Sequence, residues 1–463
     1  STFFDPRTIV ITGSHFDGGL ADQGGWFLLS GPANLEMTDV TFDRNNTDGM
    51  WLNMNNGATA TLRNVTATEN KQHGLNFWVV SGSSIDLADS EGDTNGWSGG
   101  RLYTVSGSAI VRGSDPNNNA GAGWSVETRG TADVTFETAL ATENDAGFLL
   151  NVKDGSSVTI RDSLVQAGQI GIDVDADNVN AGGTVTLERT DVAGSSAHGL
   201  RIVESPGVDV RFVEGEIELI DSSAEGAGVY ADLQDSTLTL ERSLISETTS
   251  TVTGGGAFVR GDADSAFHVL SSTFSNTSSD GGGALVAELG TATIAHSTIV
   301  GSGPGALVSL QADAAVTHSI LEGGAMSLDT FLPTLTVDYS ILESASPDVG
   351  PALMAGAGNR VGITAALLPL DDNGGPTRTR VPEPGSPAID MGSPTFAAPP
   401  STDQRGLARV QGGRIDIGAV EVVASLPATG RDAGAEWVWA ALAALVTGGV
   451  LLAGARGHQR SLR

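Results

Sequence analysis

Gly49-Met50-Trp51-Leu52 and Gly74-Leu75-Asn76-Phe77 are two copies of one phrase, and the copies continue as Gly147-Phe148-Leu149-Leu150, Gly171-Ile172-Asp173-Val174, Gly199-Leu200-Arg201-Ile202 and Gly228-Val229-Tyr230-Ala231. Apolar and polar residues alternate after each Gly, which is the period of a half-buried strand. Between the copies lie other short strands, such as Ala60-Thr61-Leu62, Val158-Thr159-Ile160 and Leu238-Thr239-Leu240. From Thr8 to about Val349 the chain therefore divides into units of roughly two dozen residues, within the range of stacked repeats. Two or three short strands per unit, separated by polar corners, stack coil on coil at about 4.8 Å. The expected fold is all-β, a parallel β-helix of roughly thirteen coils, right-handed by the usual crossover preference. Propeller blades need longer repeats, and a leucine-rich repeat would show a fixed Leu and Asn ladder. The 62 Gly residues are expected at corners that require positive φ.

This pattern resembles the pectin-lyase-like class of right-handed β-helix proteins. Composition narrows the function. Of 463 residues, 55 are acidic and 24 basic, giving −31. A surface of that sign repels phosphate backbones, so a nucleic-acid partner is excluded. The chain has no Cys, which removes disulfides, thiolate metal sites and cysteine nucleophiles together.

The C-terminal region reads differently. Trp437 to Ala455 carries no charge and is long enough to span a bilayer as one helix. Arg456, Arg460 and Arg463 follow it, which orients the tail toward the cytoplasm. Upstream stands Leu426-Pro427-Ala428-Thr429-Gly430. Pentapeptide, apolar span and basic tail together resemble the sorting signal of Gram-positive cell-wall proteins. That resemblance implies a sortase that cuts between Thr429 and Gly430, a peptidoglycan precursor as acceptor, and a transient membrane anchor. Between them, Leu367 to Glu421 includes Asp371-Asp372-Asn373-Gly374-Gly375-Pro376, Thr402-Asp403-Gln404-Arg405-Gly406 and Asp416-Ile417-Gly418-Ala419. This stretch resembles the choice-of-anchor Q module. Its Asp390, Asp403, Arg405 and Asp416 read either as an ion-pair lock or as a site, and the module as a cap over the open end of the solenoid. The expected organisation is a β-helix over 1–349, the cap over 350–421, pentapeptide and spacer over 422–436, the membrane helix over 437–455 and the tail over 456–463. Residues 1–429 hold 20 basic and 53 acidic side chains, so the acidity belongs to the exported part.

Residues two and four after each Gly should face outward. Counting from Gly49, Gly74 and Gly100 gives Trp51 and Asn53, Asn76 and Trp78, Leu102 and Thr104. Five of the seven Trp fall within the first 124 residues; Trp97 is expected at a corner, with Trp26 and Trp124 inward. Exposed indoles beside amides suit sugar rings, making Trp51, Asn53, Asn76 and Trp78 candidate ligand contacts unless a loop such as 115–119 covers them. Asp48 and His73 each precede their Gly and should meet at one corner. They superficially resemble motifs of polygalacturonases, but the second carboxylate that hydrolysis needs is missing, so a corner hydrogen bond is the competing reading. Farther on, Glu127, Asp173, Asp175 and Asp177 could bind Ca2+. Arg201 near them would then resemble the base of calcium-dependent pectate lyases; an ion-pair ladder with Lys153 and Arg201 is the alternative. Two functions remain open. One is a wall-anchored surface protein, adhesin-like, that binds a polysaccharide or surface ligand; the other is a wall-displayed lyase or glycoside hydrolase acting on acidic polysaccharide.

Overall fold

A computed structural model describes residues 7–18, 23–176, 182–302, 306–328 and 334–422. The strands pair in parallel with their equivalents one coil on, from Thr8–Asp17 to Arg360–Val361, and close into a right-handed parallel β-helix of about thirteen coils. Each coil has three faces. Face A carries Gly25–Ser30, Met50–Asn55, Leu75–Val80, Gly100–Val105 and Ala122–Arg129 at its N-terminal end. Face B continues with Ser84–Ala88 and Ser108–Arg112, while Thr59–Thr68 runs along face B and, past Asn64, onto face C. Face C includes Glu216–Ser222, Leu244–Ser250 and Thr273–Ser279 in the later coils. Alternation aims Met50, Leu52 and Met54, then Leu75, Phe77 and Val79, into one continuous core.

One corner is tied by a column of buried amides. Asn45, Asn70, Asn95, Asn119 and Asn144 lie 25, 25, 24 and 25 residues apart, and each side-chain Nδ2 donates to the Oδ1 of the next at 2.9–3.1 Å. The same Oδ1 also accepts the backbone N–H of the preceding coil's Asn. The remaining amide hydrogen of Asn70 goes to the Phe42 carbonyl. The ladder amides thus satisfy one another without water, which burial demands. From Ser243 onward a column of Ser hydroxyls, Ser272, Ser297, Ser319 and Ser340, takes over an equivalent duty at another corner.

The glycines that open face A are needed for room rather than for backbone angle. A Cβ on Gly49 would stand 2.7 Å from the Gly74 carbonyl oxygen and 2.8 Å from Asn70 Nδ2. Positive φ is instead carried mostly by larger residues. The corner between faces B and C holds Asp39, Asn64, Asp89, Thr138, Asp162 and Arg189, and later His296, His318 and Tyr339, all left-handed. The expectation of Gly or Asn holds at the corner between faces A and B, with Gly31, Gly57, Gly82, Gly130 and Gly155 at positive φ; at the corner between B and C stacked neighbours hold ordinary side chains in a conformation that isolated chains disfavour.

Residues 350–421, the expected cap, divide into two parts. Short helices over Pro347–Val349 and Gly350–Ala355 lie on the last coil, with Val349 buried in the core. The chain then turns back, and 362–422 runs along the flank as a strap. Ala365, Ala388 and Ile417 pack on Ile320 and Ile341. Arg378 reaches Glu216, 2.8 Å away, and Glu218; Gln404 bonds Thr273 and the Ser243 carbonyl; Ala419 N–H donates to Thr298. The strap's carboxylates serve as internal clasps. Asp403, fully buried, pairs with Arg405 at 2.8 Å and accepts the Leu407 and Glu421 amides; Asp416 accepts those of Asp390 and Val422. Of the two readings for these residues, the geometry is that of a lock.

Among the described residues no helix is long and apolar enough to cross a membrane. The pentapeptide 426–430, the apolar run 437–455 and the basic tail 456–463 lie outside the described residues.

Replacing Asn70 by Ala removes an acceptor used by two Asn45 donors and a donor to Phe42, and should destabilise the rod by about 2–4 kcal/mol. Asn56→Ala at an exposed corner should cost under about 1 kcal/mol. Chemical denaturation of the two variants separates these values.

Candidate functional site: an aromatic strip on face A

The N-terminal four coils of face A present an unusual surface. In register across Gly25–Ser30, Met50–Asn55, Leu75–Val80 and Gly100–Val105, the first outward column is Trp26, Trp51, Asn76 and Arg101. The second is Leu28, Asn53, Trp78 and Tyr103. The rings form a ladder that steps from one column to the other. Trp26 and Trp51 centroids are 6.5 Å apart, Trp51 and Trp78 6.4 Å, Trp78 and Tyr103 4.5 Å, all tilted. Arg101 lies over Trp78 at 5.8 Å and Arg129 over Tyr103 at 6.0 Å, both cation–π distances. Trp26 is 69% exposed and Leu28 61%, an apolar area that a protein of this charge does not otherwise show on this face.

Several sequence expectations change here. Trp26 faces outward and completes the ladder, whereas Trp124 is buried against Phe136. Leu102 and Thr104 point into the core; Arg101 and Tyr103 occupy their outward places. The cause is the tandem Gly99-Gly100: Leu75 pairs with Gly100, so Gly99 is the equivalent of Gly74. Counting from the second glycine moves every side chain to the opposite face. Asn76 is buried and its amide donates to Asp48 at 2.9 Å, so it supports the strip from beneath rather than offering a free contact. Asn53 remains half-exposed beside Trp78. Residues 115–119 belong to their own coil, with Asn119 in the amide ladder, and do not fold over the indoles.

Asp48 and His73 do meet, but as a corner. The His73 backbone N–H donates to Asp48 Oδ1 at 3.1 Å, and Asn76 takes the other oxygen. The imidazole itself packs edge-on to Trp97, which stands 53% exposed at the corner. Burial pushes the His73 ring down to about 4, and Arg101 pushes the same way against the pull of Asp48. Each Asp48 oxygen accepts a corner bond, and the neutral His73 ring carries no proton to give as a strong general acid.

The second candidate cluster is likewise committed. Arg201 grips Asp173 with two bonds of 2.7 and 3.0 Å and reaches Asp175 at 3.4 Å. Burial pushes the Asp173 carboxyl up, against the pull of that guanidinium. Glu127 pairs with Arg129 at 2.6 Å and lies 3.9 Å from Lys153. The oxygens of Glu127, Asp173 and Asp175 face cations, and among the described residues no acidic or imidazole trio is placed to hold a metal. Asp177 lies outside the described residues. Arg201, charged and bidentate, is not free to act as a base. Between the strip and this ladder opens a cleft of about 180 Å3, with Arg101, Ser125, Glu127, Asn151 and Asp175 on its walls.

No protein-family model matches the chain. A search of curated proteins finds no match either. Among solved structures, pectate lyase Pel9A is 14% identical, with 79% of this chain and 88% of that one covered and a TM-score of 0.39. The A-module of mannuronan C-5 epimerase AlgE6 from Azotobacter vinelandii is 13% identical over 74% and 91%, with a TM-score of 0.35. The AlgE4 A-module from the same organism is 12% identical over 72% and 91%, with a TM-score of 0.31. At these identities and scores no residue role and no activity passes to this chain. The resemblances of 367–421 and 426–430 rest on their quoted residues alone.

With its depressed value, His73 should stay neutral in the folded protein down to about pH 5, whereas an ordinary imidazole protonates near 6.5. Burial also holds His296 at about 2 and His318 at about 4. Since the unfolded rings take up protons first, the stability these three contribute is fully present above pH 6.5. It is lost as pH falls from 6.5 toward 4 for His73 and His318, and on toward 2 for His296. Histidine nitrogen shifts and denaturation midpoints at pH 7 and about pH 5 check both statements.

Proposed function

We propose that this protein is a wall-anchored surface protein of a Gram-positive bacterium whose β-helix displays a glycan-binding face. The observation that carries the binding half is the ladder Trp26, Trp51, Trp78 and Tyr103 on consecutive coils. Sugar rings present apolar C–H faces, and indole and phenol planes at successive steps of about 4.8 Å offer a shelf for them. Amides at Asn53 and Asn55 lie alongside to meet hydroxyl rims. The anchoring half rests on Leu426-Pro427-Ala428-Thr429-Gly430, the apolar run and the closing arginines. On that reading sortase and a peptidoglycan precursor are the partners, and the cell wall is the location.

A lyase or glycoside hydrolase on the same face would meet Asp48 already bonded at both oxygens and Arg201 held in an ion pair. Binding without cleavage is therefore the better-supported activity.

Trp51→Ala and Trp78→Ala should each weaken glycan binding by about tenfold or more, as aromatic anchors do, and leave folding intact because both rings are outward. Incubation with polygalacturonate should produce neither new reducing ends nor unsaturated absorbance; either product would favour the enzyme. Thr429→Ala should release the protein from the wall fraction into detergent extracts.

A further inference from the structure

Charge separates face A into two zones. The twelve outward positions of its first four strands are Trp26, Leu28 and Ser30, then Trp51, Asn53 and Asn55, then Asn76, Trp78 and Val80, and finally Arg101, Tyr103 and Val105. None is a carboxylate, in a chain with 55. The one charge is Arg101. Among the described residues it is the only arginine between positions 23 and 349 without an ion pair; Arg63, Arg112, Arg161, Arg189 and Arg260, for example, all have carboxylate partners. Arg101 therefore keeps donors available where the aromatic strip meets the cleft. Past it the zone changes: the cleft's other walls carry Glu127 and Asp175, which are compensated by Arg129 and Arg201 but retain acceptor lone pairs.

We infer that the face binds a neutral, extended glycan lying along the solenoid axis, with its rings on the aromatic ladder and one end in the cleft beside Arg101. This rests on the glycan-binding reading above and adds charge, direction and length to it. A polyanionic chain would bring its carboxylates or sulfates against Glu127 and Asp175, in the field of a strongly acidic rod, with one unpaired guanidinium to offset them. Hydroxyl groups meet both kinds of wall: they accept from Arg101 and Asn53 and donate to the carboxylates. Direction follows from the stacking, since the rings succeed one another from coil to coil. From the strand of Trp26 to that of Asp175 is six coil steps, roughly 30 Å at about 4.8 Å each. A disaccharide cannot span that track.

The experiment uses the full chain in calorimetric titrations against cello-, xylo- and manno-oligosaccharides of increasing length, with polygalacturonate and alginate oligomers in parallel. A neutral series should bind, with affinity rising at least about tenfold from di- to hexasaccharide. The dissociation constant should change less than about twofold between about 20 and 300 mM salt. Arg101→Gln should weaken the hexasaccharide several-fold and leave the disaccharide unaffected; Asn53→Ala, with a circular dichroism control, provides a second variant that keeps the core untouched. Binding confined to the uronates, weakened by salt and abolished in Arg101→Gln, overturns the neutral ligand while sparing the glycan-binding face. A neutral series whose affinity is already maximal at the disaccharide overturns the axial track. Absence of binding to every glycan, or binding unchanged in Trp51→Ala, overturns the glycan-binding reading itself.

Discussion

Register is the constraint on which everything else depends. Each coil must set its residues directly over those of the coil before, because the buried amides Asn45 to Asn144 can satisfy one another only when they are superimposed. A slip of one residue would bury an unpaired amide and turn face A inside out. The same superposition makes ladders of whatever the outward columns hold. Rings yield the aromatic strip; alternating signs yield the pairs Asp173–Arg201 and Asp232–Arg260. A coil thus specifies structure with its inward half and chemistry with its outward half, and the two can vary independently.

That division explains what the sequence discloses. Strand alternation and the recurrent Gly are local, so coil period, fold class and the outward direction of Trp51 and Trp78 can be read directly. Trp26 and Tyr103 escaped for one reason: Gly24-Gly25 and Gly99-Gly100 each offer two origins for counting, and only the first of each pair stacks on the glycine of the neighbouring coil. The equivalence of Gly49 and Gly74 was visible, yet its reason was not: close approach to the next coil's carbonyl is a property of the stack, with no trace in the dihedral angle. Left-handed corners filled by His296, His318 and Tyr339 run against local preference, so no rule based on turn residues could place them.

The candidate chemistry was legible as proximity and illegible as geometry. Asp48 with His73, and Arg201 with Asp173, were correctly brought together by period alone. Whether such groups face a ligand or each other depends on hydrogen bonds of a few ångströms: the His73 amide and Asn76 occupy Asp48, and a bidentate guanidinium occupies Asp173. The strap was the least accessible part. Arg378 and Glu216 are 162 residues apart, and their meeting depends on how many coils the chain has already wound.

The strap also sets how the rod bears load. Its last described residues, Glu421 and Val422, are clasped by Asp403 and Asp416, while Gln404, Arg409 and Ala419 hold coils around Ser243, Ser271 and Thr298. A pull applied beyond Val422 is therefore delivered to the flank of the rod, several coils in from its end. Unzipping the last coil one strand pair at a time would need little force, because each pair breaks alone. Shearing the strap requires its clasps to yield together, as in a lap joint.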